Sequence, residues 1–180
     1  MKNTYRDLIE QTFYFPQEGF EVIDNQLHFY GIDLMEIIKQ YGTPLKISYL
    51  PKIGSQIKKA KRIFNVAIAK ADYKGTYTYC YCTKSSHFSY VLQEALKHDI
   101  HLETSSAFDI PLIRSLYQDK LIDKERVIIC NGYKRPQYID NIAGLINDGF
   151  ENVIPVLDSM NELNAYDKKI KGRKKVFNYR

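Results

Sequence analysis

Between Pro51 and Tyr73 the apolar residues Ile53, Ile57, Ala60, Ile63, Phe64, Ala67 and Ile68 follow one another at helical spacing. That three- and four-residue spacing marks one face of a long helix. Just before it, Pro44–Leu50 (PLKISYL) alternates apolar and polar positions, the period of a strand. The same alternation of strand and helix then recurs. Thr76–Thr83 reads as a strand, and Ser85 or Ser86 can cap a helix through SYVLQEALKHD. Ile100–Thr104 is a strand, with Ser105 or Ser106 capping the helix AFDIPLIRSLYQD. Arg126–Cys130 is a strand, and a loop NGYKR leads into the helix YIDNIAGLINDGF. Asn152–Leu157 is a strand, and Ser159 starts the helix MNELNAY. Upstream, FEVIDNQLHF gives two short strands about an Asp24–Asn25 turn, and Asp33 caps a helix over LMEIIKQYG that Gly42 ends.

About five strand-then-helix units therefore follow residue 43. Such alternation predicts an α/β fold with a parallel sheet, either doubly wound or closed as a barrel. No glycine-rich phosphate loop follows any of the strands. In parallel α/β folds chemistry collects where strands end and helices begin. Those ends here read TKSSH, ETSSAFD, CNGYKR and LDS.

At 180 residues the chain is long enough for one domain with a sizeable core. It holds no apolar run near the ~20 residues of a membrane span, so no membrane partner is expected. The start, MKNTYRDLIEQTFYF, lacks the form of a secretory signal. Three cysteines make no disulfide framework, and a reduced cytoplasmic setting is the simplest expectation. The net charge of +5 is concentrated at one end: residues 167–180 carry seven Lys or Arg against one Asp. The rest of the chain is close to neutral, so nucleic-acid binding is expected at most from that tail, which reads as solvated and frayed.

One stretch stands out: YCYCTKSSHFSY, Tyr79–Tyr90, where an apolar run stops on Lys84. A lysine at a strand end is ordinarily a solvated amine. Held among Tyr79, Tyr81 and Phe88, it can instead be desolvated and reactive, and a neutral amine condenses with an aldehyde. Cys80, Cys82 and His87 lie close by, but zinc needs a fourth ligand, and no metal is expected. Cys82 and His87 lack a third, orienting group for nucleophilic work.

YCYCTKSS, with Glu103 nineteen residues after the lysine in HLETSSAFD, then IICNGYKRPQYI and VIPVLDSMNEL, resembles the alanine-racemase-like barrel decarboxylases. These enzymes use pyridoxal 5'-phosphate to act on ornithine, diaminopimelate or arginine. The pairing of LETSS with ICNGYK is most similar to biosynthetic arginine decarboxylase, over roughly residues 20–166. The resemblance implies a partial (β/α)8 TIM-like barrel of about five units, behind a short N-terminal β-hairpin and helix. The expected segments are 1–43 for that entry, 44–166 for the first part of the barrel, and 167–180 for the tail.

It also implies roles. Lys84 matches the lysine that carries pyridoxal phosphate. Glu103 matches an acidic position at the next strand end near the cofactor, Ser105 and Ser106 match small polar residues in the loop after it, and Asp109 matches a further acid. Asn131, Gly132 and Lys134 match the loop that shapes the substrate pocket. The implied activity is decarboxylation of an amino acid, arginine first, toward agmatine and spermidine, by an enzyme that is a homo-oligomer at full length. The ornithine or diaminopimelate branch and a non-catalytic pyridoxal-phosphate-binding protein are the alternatives. The family's cofactor-stacking histidine, its glycine-rich phosphate loop, the acid that pairs with the pyridine nitrogen and its C-terminal β-domain have no counterpart here. The chain alone is therefore expected to be inactive.

Overall fold

The structure, a computed structural model, describes residues 18–171. They fall into two compact units that divide between Ser48 and Tyr49.

In the first unit β1 (Phe20–Ile23) and β2 (Gln26–Phe29) pair antiparallel. Asp24 and Asn25 turn the chain at φ of 48° and 61°, a left-handed pair that Asn and Asp tolerate better than bulkier residues. Phe20 sits opposite Phe29 with ring centroids 4.8 Å apart. A third strand, β3 (Ile32–Asp33), joins the outer side of β2. Its two residues are too few to leave an alternation in the sequence. Asp33 then caps α1 (Leu34–Tyr41), accepting from Met35 N at 2.7 Å. Gly42, at φ +79°, closes the helix with its N–H on Ile38 O.

In the second unit the elements run α2 (Pro51–Lys70), β4 (Cys80–Cys82), α3 (Ser89–Leu96), β5 (His101–Thr104), α4 (Asp109–Gln118), β6 (Ile128–Cys130), α5 (Pro136–Asn147), β7 (Val153–Pro155) and α6 (Met160–Lys169). The four strands are parallel and lie in chain order, β4-β5-β6-β7. Each crossover joins neighbouring strands, and right-handed crossovers of that kind put every helix on the same face. Burial follows suit. Leu102, Ile128 and Val153 form one register row, all buried under helix residues such as Leu92, Ile113, Ile142 and Tyr166. Residues pointing the other way, Cys80, Cys82, His101, Glu103 and Ile129, are only half-buried, and Ile154 is exposed. No helix among the described residues is long and apolar enough to cross a membrane.

Several expectations need correcting. Pro44–Leu50 is not a strand, so four paired strands stand where about five were expected. A strand needs a ladder partner, Pro44 offers no N–H, and Ile47 is 42 % exposed; the alternation has no sheet face to bury. In α2 the apolar face is half used: Gly54 and Ile57 are buried, but Ile63 and Phe64 stay about half exposed. Neither Ser85 nor Ser86 caps a helix, because α3 begins only at Ser89 with Phe88 before it. The segment 167–180 is not frayed from its start. Asp167, Lys168 and Lys169 belong to α6, where Lys169 pairs with Asp140. Asn147 holds the helix end, donating to Lys169 O at 3.0 Å and accepting from Lys171 N at 2.8 Å. The remainder of that tail, 172–180, lies outside the described residues.

Candidate functional site

Lys84 occupies the turn that ends β4. Thr83, fully buried, fixes this turn: its N–H and its hydroxyl both donate to Glu103 O, at 2.9 and 3.1 Å. Ser85 N donates to Cys82 O at 3.1 Å, and Tyr81 Oη closes over the turn by donating to Ser86 O at 3.0 Å. The backbone on both sides of Lys84 is thus tied down, while its side chain is exposed and its amine has no hydrogen-bond or ion-pair partner among the described residues. It opens on a pocket of about 350 Å³ that it shares with His87, Ser105, Ser106, Phe108 and Asp109.

Ser105 and Ser106 form the far wall. Their expected capping role is reversed. The Asp109 carboxylate, in the first turn of α4, accepts from Ser105 N (2.8 Å), Ser106 N (2.9 Å) and Ser106 Oγ (3.1 Å). Three donors on one carboxylate oxygen make the loop rigid. They also fill the N–H groups that an incoming anion would need.

Glu103, at the end of β5, is the hub of a row across the strand ends. Its Oε1 accepts from Cys82 Sγ at 3.7 Å on β4 and from Asn131 Nδ2 at 3.2 Å after β6. Asn131 Oδ1 in turn accepts from Gly132 N at 2.8 Å. Gly132 has φ +77°, and a Cβ there would sit 3.1 Å from Ser105 O, so only glycine lets the two loops lie this close. Burial, with Glu103 adding to it, pushes the thiol of Cys80 up from its ordinary value. Cys82 is raised as well, again chiefly by burial and against the pull of Lys84. A thiol held protonated is a poor nucleophile, which leaves Cys82 as a hydrogen-bond donor rather than half of a Cys–His pair. Among the described residues no three His, Cys, Asp or Glu side chains converge as metal ligands.

Lys134 stands apart from the other residues of its loop. Its ammonium is fully buried and turned under the loop, 2.7 Å from Gly132 O, in contact with Val156 O and 3.7 Å from Glu162. Glu162 also accepts from Lys134 N (3.3 Å) and Asp158 N (3.1 Å). The pair clasps the loop after β6 to the loop after β7. The sequence reading picked out Lys134 for the pocket and passed over Glu162. It also passed over Phe108, 82 % exposed at the pocket rim. Its position four residues after Thr104 was the available signal.

No protein-family model matches the chain. Curated relatives are similar to it at low identity. A biosynthetic arginine decarboxylase of Prochlorococcus marinus is 27 % identical over 118 residues, covering 61 % of this chain and 18 % of the relative. That of Bacteroides thetaiotaomicron is 24 % identical over 149 residues, covering 78 % of this chain and 23 % of the relative. Among solved structures, the biosynthetic arginine decarboxylase of Campylobacter jejuni superposes with a TM-score of 0.65 at 20 % identity, covering 84 % of this chain and 27 % of that one. The chain thus shares a fold with that enzyme and spans less than a quarter of the length of the curated relatives it matches.

Proposed function

We propose that the chain is one part of a pyridoxal-phosphate-dependent amino-acid decarboxylase of the arginine-decarboxylase kind. In this reading residues 44–166 supply part of the wall of a (β/α)8 barrel, behind an entry segment, 1–43. One observation carries it. The first parallel strand ends in a rigid turn that presents the amine of Lys84, without a partner among the described residues, to a concave pocket. Its volume lies in the range of roughly 300–1,000 Å³ usual for small-molecule sites.

The residues fit the cofactor in part. An accessible amine suits its aldehyde, and the pocket between Lys84 and Ser105 suits its ring. The seat for its phosphate is elsewhere, because the Ser105 and Ser106 N–H groups are already held by Asp109. When bound, the pyridine ring would draw off the electron pair left by the departing carboxylate. The chain's own part is orientation. Thr83 and Tyr81 hold the Lys84 turn, Glu103 keeps Asn131 and Cys82 in place across the strand ends, and Asn131 holds Gly132 close beside Ser105, which lines the pocket. Lys134, buried beneath Gly132, ties that loop to the loop after β7. The reading takes arginine as substrate by the kinship of the relatives, in a cytoplasmic enzyme that is oligomeric at full length, and the isolated chain as inactive.

The test is borohydride trapping. The chain is mixed with pyridoxal phosphate, reduced and digested, and the pyridoxyl group is located by mass spectrometry. The expected outcome is near-stoichiometric label at Lys84, absent in Lys84→Ala, with other lysines labelled several-fold less. Label scattered evenly over surface lysines would overturn the reading.

A further inference from the structure

We propose that His87 is the proton donor and acceptor for chemistry at Lys84, an inference that rests on the reading of that amine as the group that takes an aldehyde. An amine adds to an aldehyde carbon through its lone pair, a proton passes from nitrogen to oxygen, and the carbonyl becomes a hydroxyl. That hydroxyl leaves as water only after it receives a second proton. As water leaves, the C=N bond forms, and the nitrogen's remaining proton goes back to the donor. One group that first gives and then takes a proton therefore serves the whole step, with no oxidant or reductant.

The pocket at Lys84 holds one side chain suited to this work. Asp109 accepts from Ser105 N, Ser106 N and Ser106 Oγ and has no proton to give. Serine hydroxyls are not general acids or bases near neutral pH, and Phe108 and Leu112 are apolar. Cys82, two residues before Lys84, directs its thiol proton to Glu103. His87 is left, and imidazole is the side chain that ordinarily changes charge between pH 5 and 8. Its ring is exposed and leans on Phe88 with centroids 5.7 Å apart, and it has no hydrogen-bond or ion-pair partner among the described residues. The backbone on either side is tied. Ser86 O accepts from Tyr81 Oη at 3.0 Å, and Phe88 O accepts from Val91 N (3.0 Å) and Leu92 N (3.1 Å) as α3 begins. One fixed turn thus presents the amine and the imidazole, three residues apart, to the same cavity of about 350 Å³.

The rate at which Lys84 is modified, rather than the final extent, tests the inference. The 180-residue chain is mixed either with pyridoxal phosphate or with acetaldehyde, which has neither ring nor phosphate. Samples are quenched with borohydride over time, and the Lys84 peptide is quantified by mass spectrometry against that of the exposed Lys120. Lys84 should react about 10²-fold faster than Lys120, the low end of what a positioned proton donor contributes. His87→Ala should remove that advantage and leave Lys120 unchanged. Free imidazole should restore much of it in the variant and change the parent little, a rescue that a structural role for His87 does not give. An unchanged Lys84 rate in His87→Ala would overturn the inference, as would a loss that imidazole does not rescue, or a Lys84 that reacts with neither aldehyde faster than Lys120. The two readings fail separately. A His87-dependent rate with acetaldehyde, without preference for Lys84 by pyridoxal phosphate, sinks the cofactor reading alone. Preferential pyridoxal-phosphate label at a rate indifferent to His87 sinks this inference alone.

Discussion

A buried ammonium is tolerated only when it is fully paired, and Lys134 meets that condition through Gly132 O, Val156 O and Glu162. Lys134→Met strands the Glu162 carboxylate, which is 4 % exposed, and the cost expected for breaking such a pair is about 3–5 kcal/mol. Adding Glu162→Gln removes the stranded charge and should restore part of the loss, read as the urea midpoint of the single and double variants. Nothing in the stretch NGYKR distinguishes this lysine from one at a pocket rim. Its partner lies 28 residues away, and only the fold brings the two together. The place of Lys84 at a strand end, by contrast, is legible, because a strand end followed by small polar residues is a local pattern. Buried acids give a second test at this scale. Burial raises the Cys130 thiol from 9.0 to about 11. Between those values the unfolded chain has released a proton that the folded chain keeps, so stability should fall as pH rises from about 9 toward 11. Urea midpoints measured across that range should decline, and less steeply in Cys130→Ala.

Helix starts divide into those that sequence can name and those it cannot. Ser159 before α6 and Asp33 before α1 cap as a local rule predicts, since each needs only its own side chain and an N–H two or three residues on. The serines of TKSSH and ETSSAFD obey a different constraint. At the first, the ladder to Glu103 O holds the chain in a turn and delays α3 to Ser89. At the second, Asp109 supplies the acceptor and the serines supply the donors. Ser159→Ala should therefore cost about 1 kcal/mol. Ser85→Ala, on an exposed turn residue, should stay within about 0.5 kcal/mol of the parent. Matched urea titrations of the two variants give the comparison.

The order of the elements could be read along the chain; which strands pair could not. Periodicity is local, whereas a parallel ladder joins segments twenty or more residues apart, such as Cys82 with Glu103. The alternating stretch Pro44–Leu50 therefore looked like a strand and is not one. The buried cluster shows the same division at the scale of the molecule. It runs from Ile57 to Tyr166, entirely within the second unit. Among its described residues the first unit holds one buried apolar residue, Val22, and α1 has none. A hairpin, a two-residue strand and one amphipathic helix bury too little apolar surface to offset their ordering. A chain beginning at Tyr49 should then keep its cooperative unfolding transition in urea, with an extrapolated unfolding free energy within about 10–15 % of the parent, the error of such extrapolations. The peptide 1–48 alone should show no cooperative transition. If 49–180 instead unfolds without cooperativity, the core seen within the second unit does not suffice, and the entry segment contributes to its stability.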